Sequence, residues 1–244
     1  MTASVLRALH HDRAPGDPLV VPGPWDAASA RVFAEAGFRT LATPSAGVAA
    51  SLGYEDGATP AAEMFAAVAR IVRAVPAAVP VSADIEEGYG LAPKELVERL
   101  LDTGAVGCNL EDSAGGTLVD AQRQADRLAE VRAVAGDQLF LNARVDTYVR
   151  GVPDGTDQEA ETVRRALLYV AAGADCVYPI AAPPEALPRL SAAVPGPLNA
   201  LARADGPTPR ELGGLGATRI TFGPGLQRRA MSAVREIADE LRKG

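Results

Sequence analysis

The stretch Val81-Ser82-Ala83-Asp84-Ile85-Glu86-Glu87-Gly88-Tyr89-Gly90 follows Pro80 and joins a short apolar run to three acids and two glycines. The run reads as a buried strand, and a buried strand has no use for carboxylates at its end. Asp84 and Glu86 alternate, so both can face one side of the strand while Ile85 faces the other. Val106-Gly107-Cys108-Asn109-Leu110-Glu111-Asp112-Ser113 ends the same way, and Leu139-Phe140-Leu141-Asn142-Ala143-Arg144-Val145-Asp146 adds an arginine and a further acid. Strand after strand delivers charge at its C-terminal end.

Working outward, the same alternation covers the chain. Strands are expected at 19–23, 40–44, 80–85, 107–111, 139–145, 176–180, 197–201 and 219–223. Helices are expected from Asp26 to Gly37, Pro60 to Ala74, Pro93 to Asp102, Asp120 to Ala135 and Asp157 to Ala172, then from Pro184, near 208–214, and from Leu226 to Arg242. Ser45–Ser51 reads as a small-residue loop, and residues 1–17, with His10, His11 and Asp12, as a helical or frayed lead-in. Gly37, Gly104, Gly136 and Gly173 stand where helices end. Alternating strands and helices imply parallel pairing. Eight such units in one domain over residues 1–244 fit a (β/α)8 TIM-type barrel, whose site lies at the C-terminal strand ends. A doubly wound sheet is the alternative, weakened by the absence of a GxGxxG turn after the first strand.

The composition narrows the function. Of 244 residues 48% are hydrophobic, which suits a globular core, and the net charge of −7 argues against nucleic acid or anionic membrane as a partner. No apolar run is long enough to span a bilayer and no secretory leader pattern opens the chain, so a cytoplasmic location is expected. Cys108 and Cys176, each inside an apolar run, read as reduced core thiols. His10 and His11 are the only histidines and read as solvated, which leaves no His-based triad or zinc site in the body of the chain.

On a barrel the strand-end groups converge: Trp25 and Asp26, Thr43 and Ser45, Asp84 and Glu86, Glu111, Arg144 and Asn199, with Asp56 from the second loop. Clustered carboxylates repel unless a cation neutralises them, and a hard divalent ion needs only one or two of them directly. Arg144 suits a bidentate contact to a substrate carboxylate, and Ser45-Ala46-Gly47 offers a hydroxyl and backbone N–H donors. The implied ligand is a small anion with adjacent oxygens that can chelate the metal, such as an α-keto acid. Blander roles compete. Glu111 can pair with Arg144, Asp112 and Glu87 can cap helices or be solvated, Asp146 can hold Arg144 or cap a loop, Asn199 can satisfy backbone groups, and Trp25 can pack or wall a substrate.

The ordered set Pro24-Trp25-Asp26-Ala27-Ala28-Ser29-Ala30, Thr43-Pro44-Ser45, Ser51-Leu52-Gly53-Tyr54-Glu55-Asp56-Gly57, Ser82–Gly90, Asn109-Leu110-Glu111-Asp112-Ser113, Asn142-Ala143-Arg144-Val145-Asp146, Gly173-Ala174-Asp175 and Arg219-Ile220-Thr221-Phe222-Gly223 resembles the isocitrate lyase/phosphoenolpyruvate mutase superfamily over roughly residues 19–235. The resemblance implies a modified barrel that forms a homo-oligomer, a dimer or tetramer whose neighbours exchange the last helix. It implies Mg2+ or Mn2+ held directly by Asp84, with Asp56, Glu86 and Glu111 holding the metal's waters. Ser45, Ala46, Gly47 and Arg144 would bind the α-keto-carboxylate, with Trp25 and Asn199 beside it, and Ser45, Arg144 and Glu111 are the expected catalytic groups. Lyases of the family carry a Lys-Lys/Arg-Cys-Gly-His loop after the Glu-Asp-Ser strand end, and the mutase and hydrolase a loop with Lys and Asn. Here the segment is Ser113-Ala114-Gly115-Gly116-Thr117-Leu118-Val119-Asp120. Decarboxylation of an oxaloacetate-like acid is therefore expected. Phosphonopyruvate hydrolase or mutase chemistry and a non-catalytic keto-acid-binding homologue are the alternatives, and Tyr54, Tyr89 and Tyr148 are candidate proton donors.

Overall fold

The computed structural model describes residues 3–11, 13–14 and 16–243; Asp12 lies outside them. Helix α1 (Ala3–His11) precedes β1 (Leu19–Val20), α2 (Ala27–Glu35), β2 (Leu41–Ala42), α3 (Ser45–Leu52), α4 (Ala61–Ala74), β3 (Val81–Asp84), α5 (Pro93–Asp102) and β4 (Gly107–Glu111). A hairpin of β5 (Ser113–Ala114) and β6 (Thr117–Leu118) leads to α6 (Ala121–Ala135), β7 (Phe140–Val145), α7 (Thr147–Arg150) and α8 (Gln158–Ala171). The chain continues with β8 (Cys176–Pro179), α9 (Leu187–Ala193), β9 (Asn199–Leu201), α10 (Pro209–Gly214), β10 (Arg219–Thr221) and α11 (Gly225–Lys243).

Outside the hairpin every strand pairing is parallel. One sheet runs β2-β3-β4-β7-β8 and another β1-β10-β9. Two links join them: Val177 pairs with Leu198, and the Ala42 N–H donates to the Pro22 carbonyl at 3.1 Å. The expected barrel is thus present, and all eight expected strands form.

Strand alternation decides where the core sits. Ala83, Ile85, Cys108, Leu110, Leu141, Ala143, Val145, Val177, Ala200 and Ile220 point out of the barrel and pack with Leu96, Leu100, Leu128 and Tyr169 of the helices. The opposite faces carry Ser82, Asp84, Asn109, Glu111, Asn142, Arg144, Tyr178, Asn199, Arg219 and Thr221. The barrel interior is therefore unusually polar, where such barrels are commonly filled by branched aliphatic residues. Both cysteines are buried free thiols, and burial pushes each up to about 12.

Two expectations are corrected, and one further segment gains a defined element. Ser45–Leu52 is a helix, α3, not a loop. Its residues are small and apolar all round, so no polar face marks a period, yet alanine favours helix and Gly53 closes it at φ 86°. Smallness has a use there, since a Cβ on Gly47 would meet Pro44 Cγ at 2.9 Å. The further segment, Ser113–Leu118, is a hairpin turned by Gly115 (φ 57°) and Gly116 (φ 83°), a pair that suits a two-residue turn with both residues left-handed. The second correction is that His10 is buried. Helix α1 is amphipathic, and Ala3 and Leu6 pack with Val106, Phe140 and Cys176 at the N-terminal ends of the strands. His10 stacks on Phe140 at 4.3 Å and its Nδ1 lies 2.7 Å from the Leu6 carbonyl. His11 is exposed, as expected.

Burial, with the nearby Arg219 charge, lowers the His10 pKa to about 3. The unfolded chain therefore takes up a proton below about pH 6.5 that the folded chain refuses. Stability falls as pH drops from 6.5 toward 3, by up to about 1.4 kcal/mol per pH unit from this group. Urea unfolding at pH 7.0, 5.5 and 4.5 tests this: His10→Phe should lose stability less steeply than the parent protein, and parallel curves would contradict the burial.

Candidate active site

Asp84, Glu86, Glu111 and Arg144 stand at or just beyond the C-terminal ends of β3, β4 and β7. They line one cleft of about 300 Å³ together with Ser45, Ala46, Asp56, Asn109, Tyr178 and Thr221. The backbone brings them together deliberately. Asp84 opposes Asn109 in the β3–β4 register, and Glu111 opposes Arg144 in the β4–β7 register. After Asp84 the chain turns through left-handed conformations at Glu86 (φ 53°), Gly88 (φ 93°), Tyr89 (φ 56°) and Gly90 (φ 68°). Such backbone is costly for Glu and Tyr. It places Glu86 back over the cleft, and the Glu111 N–H donates to the Glu86 carbonyl at 2.9 Å.

Arg144 is the most constrained group. Its Nε donates to Asp146 Oδ1 at 2.6 Å and its NH2 to Asp146 Oδ2 at 3.0 Å, while NH1 lies 2.5 Å from Glu111 Oε2. Both blander roles weighed for Glu111 and Asp146 are thus observed: one pairs with Arg144 and the other holds it. A guanidinium has five N–H donors, so two remain for a ligand. Asp84 accepts from the Ser45 hydroxyl at 3.1 Å at the first turn of α3.

Burial governs the titration of the acids. It raises Asp84, opposed by Arg144 and the Ser45 hydroxyl. Burial and the neighbouring charges of Asp84, Glu87 and Asp56 raise Glu86 to about 7. Burial outweighs the pull of Arg144 and raises Glu111 to about 8. Glu86 Oε1 is buried without a hydrogen-bond partner. Carboxylates whose charge is this poorly supported, one with an orphaned oxygen, suit a hard divalent cation. Among the described residues no three acidic, histidine or cysteine side chains form a ready metal cage. The donor set fits a hydrated ion, which Asp84, Asp56, Glu86 and Glu111 would hold between them.

Three expected contributors lie elsewhere. Trp25 does not line the cleft; its ring packs edge-on against Phe33 at 6.4 Å. Gly47 lies behind the cleft wall against Pro44. Asn199 is fully buried inside the barrel, donating to Thr221 Oγ1 and the Ala200 carbonyl at 2.9 Å each and accepting from Asn142 at 3.1 Å. It satisfies interior polar groups, the alternative role weighed for it. Asp26 caps α2 through Ser29. Tyr54 is bonded to Glu63 and neither it nor Tyr89 or Tyr148 lines the cleft. The phenol that does is Tyr178, which burial pushes up to about 12 and which bonds the Thr221 side chain. Its position two residues after Cys176 on an inward-facing register was the available signal.

Asp112 is neither a cap nor solvated. It is fully buried, accepting from Arg165 NH1 at 3.0 Å, the Tyr169 hydroxyl at 2.7 Å and the Asp146 N–H at 2.8 Å. Helix α8 is thereby tied, through Asp112 and Asp146, to the orientation of Arg144. Asp112→Ala would leave the buried Tyr169 hydroxyl and Asp146 N–H without an acceptor and Arg165 with Glu161 as its remaining carboxylate partner, a loss of roughly 2–4 kcal/mol, or a Tm fall of about 4–16 °C. Tyr169→Phe, which removes one hydroxyl, should cost about 1 kcal/mol. Calorimetry of both variants checks the ordering, and equal small effects would dismiss the network.

The chain matches the phosphoenolpyruvate phosphomutase family over residues 6–242. The uncharacterized protein Rv1998c of Mycobacterium tuberculosis is 37% identical over 217 residues, 88% of this chain and 80% of that protein. A candidate phosphonomutase of Burkholderia cenocepacia is 37% identical with a TM-score of 0.88, covering 98% of this chain and 97% of that one. Oxaloacetate acetylhydrolase in complex with the inhibitor 3,3-difluorooxalacetate is 26% identical with a TM-score of 0.85, covering 98% and 86%. With a family match across nearly its whole length, a barrel of the same shape and the acidic strand ends in place, this chain belongs to the phosphoenolpyruvate mutase/isocitrate lyase superfamily.

Proposed function

We propose that the protein is a Mg2+- or Mn2+-dependent carbon–carbon lyase that decarboxylates a small α-keto acid of the oxaloacetate type. The observation that carries this reading is the lining of the cleft. It holds carboxylates and arginines, and among the described residues no lysine, cysteine or histidine. That set supports ligand chelation and enolate formation without a strong dedicated base. Likeness to an oxaloacetate-processing enzyme adds weight to the substrate class.

A divalent ion at Asp84 would supply Lewis acidity for the keto oxygen and the enolate that forms from it. Arg144 offers its two unused N–H groups to the α-carboxylate, and Ser45, whose hydroxyl bonds Asp84, would offer a donor beside it. The C3–C4 bond breaks, its electron pair enters the enolate, and CO2 departs. Tyr178 lines the cleft as a neutral phenol, pushed up to about 12 by burial, and would return a proton to C3.

Pyruvate formation from oxaloacetate, with Mg2+ and with chelator, tests the reading once the metal's own catalysis is subtracted. A metal-dependent excess that Asp84→Ala lowers at least ~100-fold is expected, a loss equivalent to about 2.7 kcal/mol of barrier. Phosphate release from phosphonopyruvate instead would select the phosphorus–carbon alternative, which the candidate phosphonomutase among the relatives favours. Tight oxalate binding without turnover would mark a keto-acid-binding homologue.

The oligomeric reading rests on α11. Only Gln227 of that helix is buried, while Met231, Val234, Ile237 and Leu241 form an exposed apolar stripe. A second copy of the chain is the proposed occupant. The double variant Val234→Glu, Ile237→Glu should convert a dimer or tetramer into monomers by light scattering; a monomeric parent protein would refute this assembly.

A further inference from the structure

A second arginine faces the cleft. Arg150 sits in α7, one turn beyond the end of β7, and lines the same cavity as Arg144. The two are not equivalent. Arg144 is nearly buried and grips both oxygens of Asp146, which also accepts from the Ser113 hydroxyl at 2.6 Å. Arg150 finds that carboxylate already engaged. Its Nε reaches Asp146 Oδ2 only at 3.8 Å and the Ser113 hydroxyl at 3.3 Å, and its side chain is 33% exposed. Among the described residues its two terminal nitrogens make no hydrogen bond.

An arginine with a structural role spends its donors on the protein. Arg150 spends one, which anchors the stem, and keeps the fork open at the rim of a cleft whose deeper arginine is fixed. The Gly115-Gly116 turn keeps the neighbouring hairpin short, so the fork stands beside the entrance. Two guanidinium groups at different depths, one constrained and one available, match an anion with acidic groups at both ends.

Resting on the keto-acid reading above, we infer that Arg150 binds the second acidic group of the substrate and makes the site selective for α-keto acids with an acid on C3, over monoacids. A carboxylate or a phosphonate satisfies the same fork. In a decarboxylation the carboxylate that Arg150 holds loses its charge as CO2 forms. Arg150 therefore contributes to substrate choice, and the barrier is lowered by other groups.

Calorimetry in the presence of Mg2+ with two probes of matched length tests this. 3,3-Difluorooxaloacetate carries both acids, and 2-oxobutyrate has a methyl group in place of the second. The parent protein should bind the diacid about 10- to 100-fold more tightly, the value of one charge-assisted contact. Arg150→Ala should abolish most of that preference while leaving 2-oxobutyrate within about 2-fold, and Arg150→Lys should retain part of it. 3-Phosphonopyruvate in place of the difluoro acid distinguishes phosphonate from carboxylate. An undiminished preference in Arg150→Ala, or equal losses for both probes, would overturn the assignment; the latter would mean that Arg150 acts on Arg144 through Asp146. A parent protein that binds no probe defeats the keto-acid reading itself, a result separable from either failure.

Discussion

The buried guanidinium of Arg144 is the interaction on which the top of this barrel depends. A charge in that position is tolerable only if it is paired and its N–H groups are used. Asp146 and Glu111 supply the pairing and take three of its five N–H groups, and each partner then needs its own support. Asp146 receives it from Ser113, and its backbone N–H goes to Asp112, which Arg165 and Tyr169 hold. A helix on the outside of the barrel is thus coupled to the ligand-facing edge of an arginine on the inside. The acids across the cleft are treated differently. Asp84, Glu86 and Glu111 are all raised by burial, and only Glu111 is paired directly with Arg144. The same cleft therefore holds one well-paired arginine and several under-supported anions, a charge pattern that suits a cation taken up together with an anionic ligand.

The polar interior sets the division of labour in the fold. Hydrophobic burial lies mainly between strands and helices, so the barrel axis is free to carry Asn109, Asn142 and Asn199 in a bonded layer beneath the cleft. That layer gives the charged groups above it a fixed floor. At the other end α1 closes the barrel with Leu6 and His10, and Arg7 ties it to Asp175, which Arg132 also binds. Closure at the N-terminal ends of the strands and openness at the C-terminal ends make the strand tops the way into the cleft.

Much of this was legible in the sequence because period and composition agree there. Apolar runs, three of them ending in acids, marked all eight strands, and Gly-marked stops marked the main helix ends. The convergence of Asp84, Glu86, Glu111 and Arg144 followed from barrel geometry alone. What was not legible depended on contacts distant in sequence. Asp112 reads as a cap until α8 supplies Arg165 and Tyr169 from more than fifty residues away. His10 reads as solvated until Phe140 is brought beneath it. Ser45–Leu52 lacks any polar–apolar contrast, so a helix and a loop look alike. Tyr178 and Arg150 were passed over for opposite reasons. One sits inside an apolar run and reads as packing, and the other follows a strand motif whose earlier arginine had already claimed the role.

The hairpin at Ser113–Leu118 bears on what the cleft can do. A longer loop there could carry an acid–base group over the ligand and exclude water. The two-residue Gly turn does neither, and it brings Ser113 rather than a base against the strand end. On the proposed reading, the chemistry left to the site is what a carboxylate able to hold a metal, a fixed arginine and a neutral phenol can perform together. Selectivity then falls to whatever stands beside the open entrance, and at that rim Arg150 is the charged group with hydrogen-bonding capacity to spare.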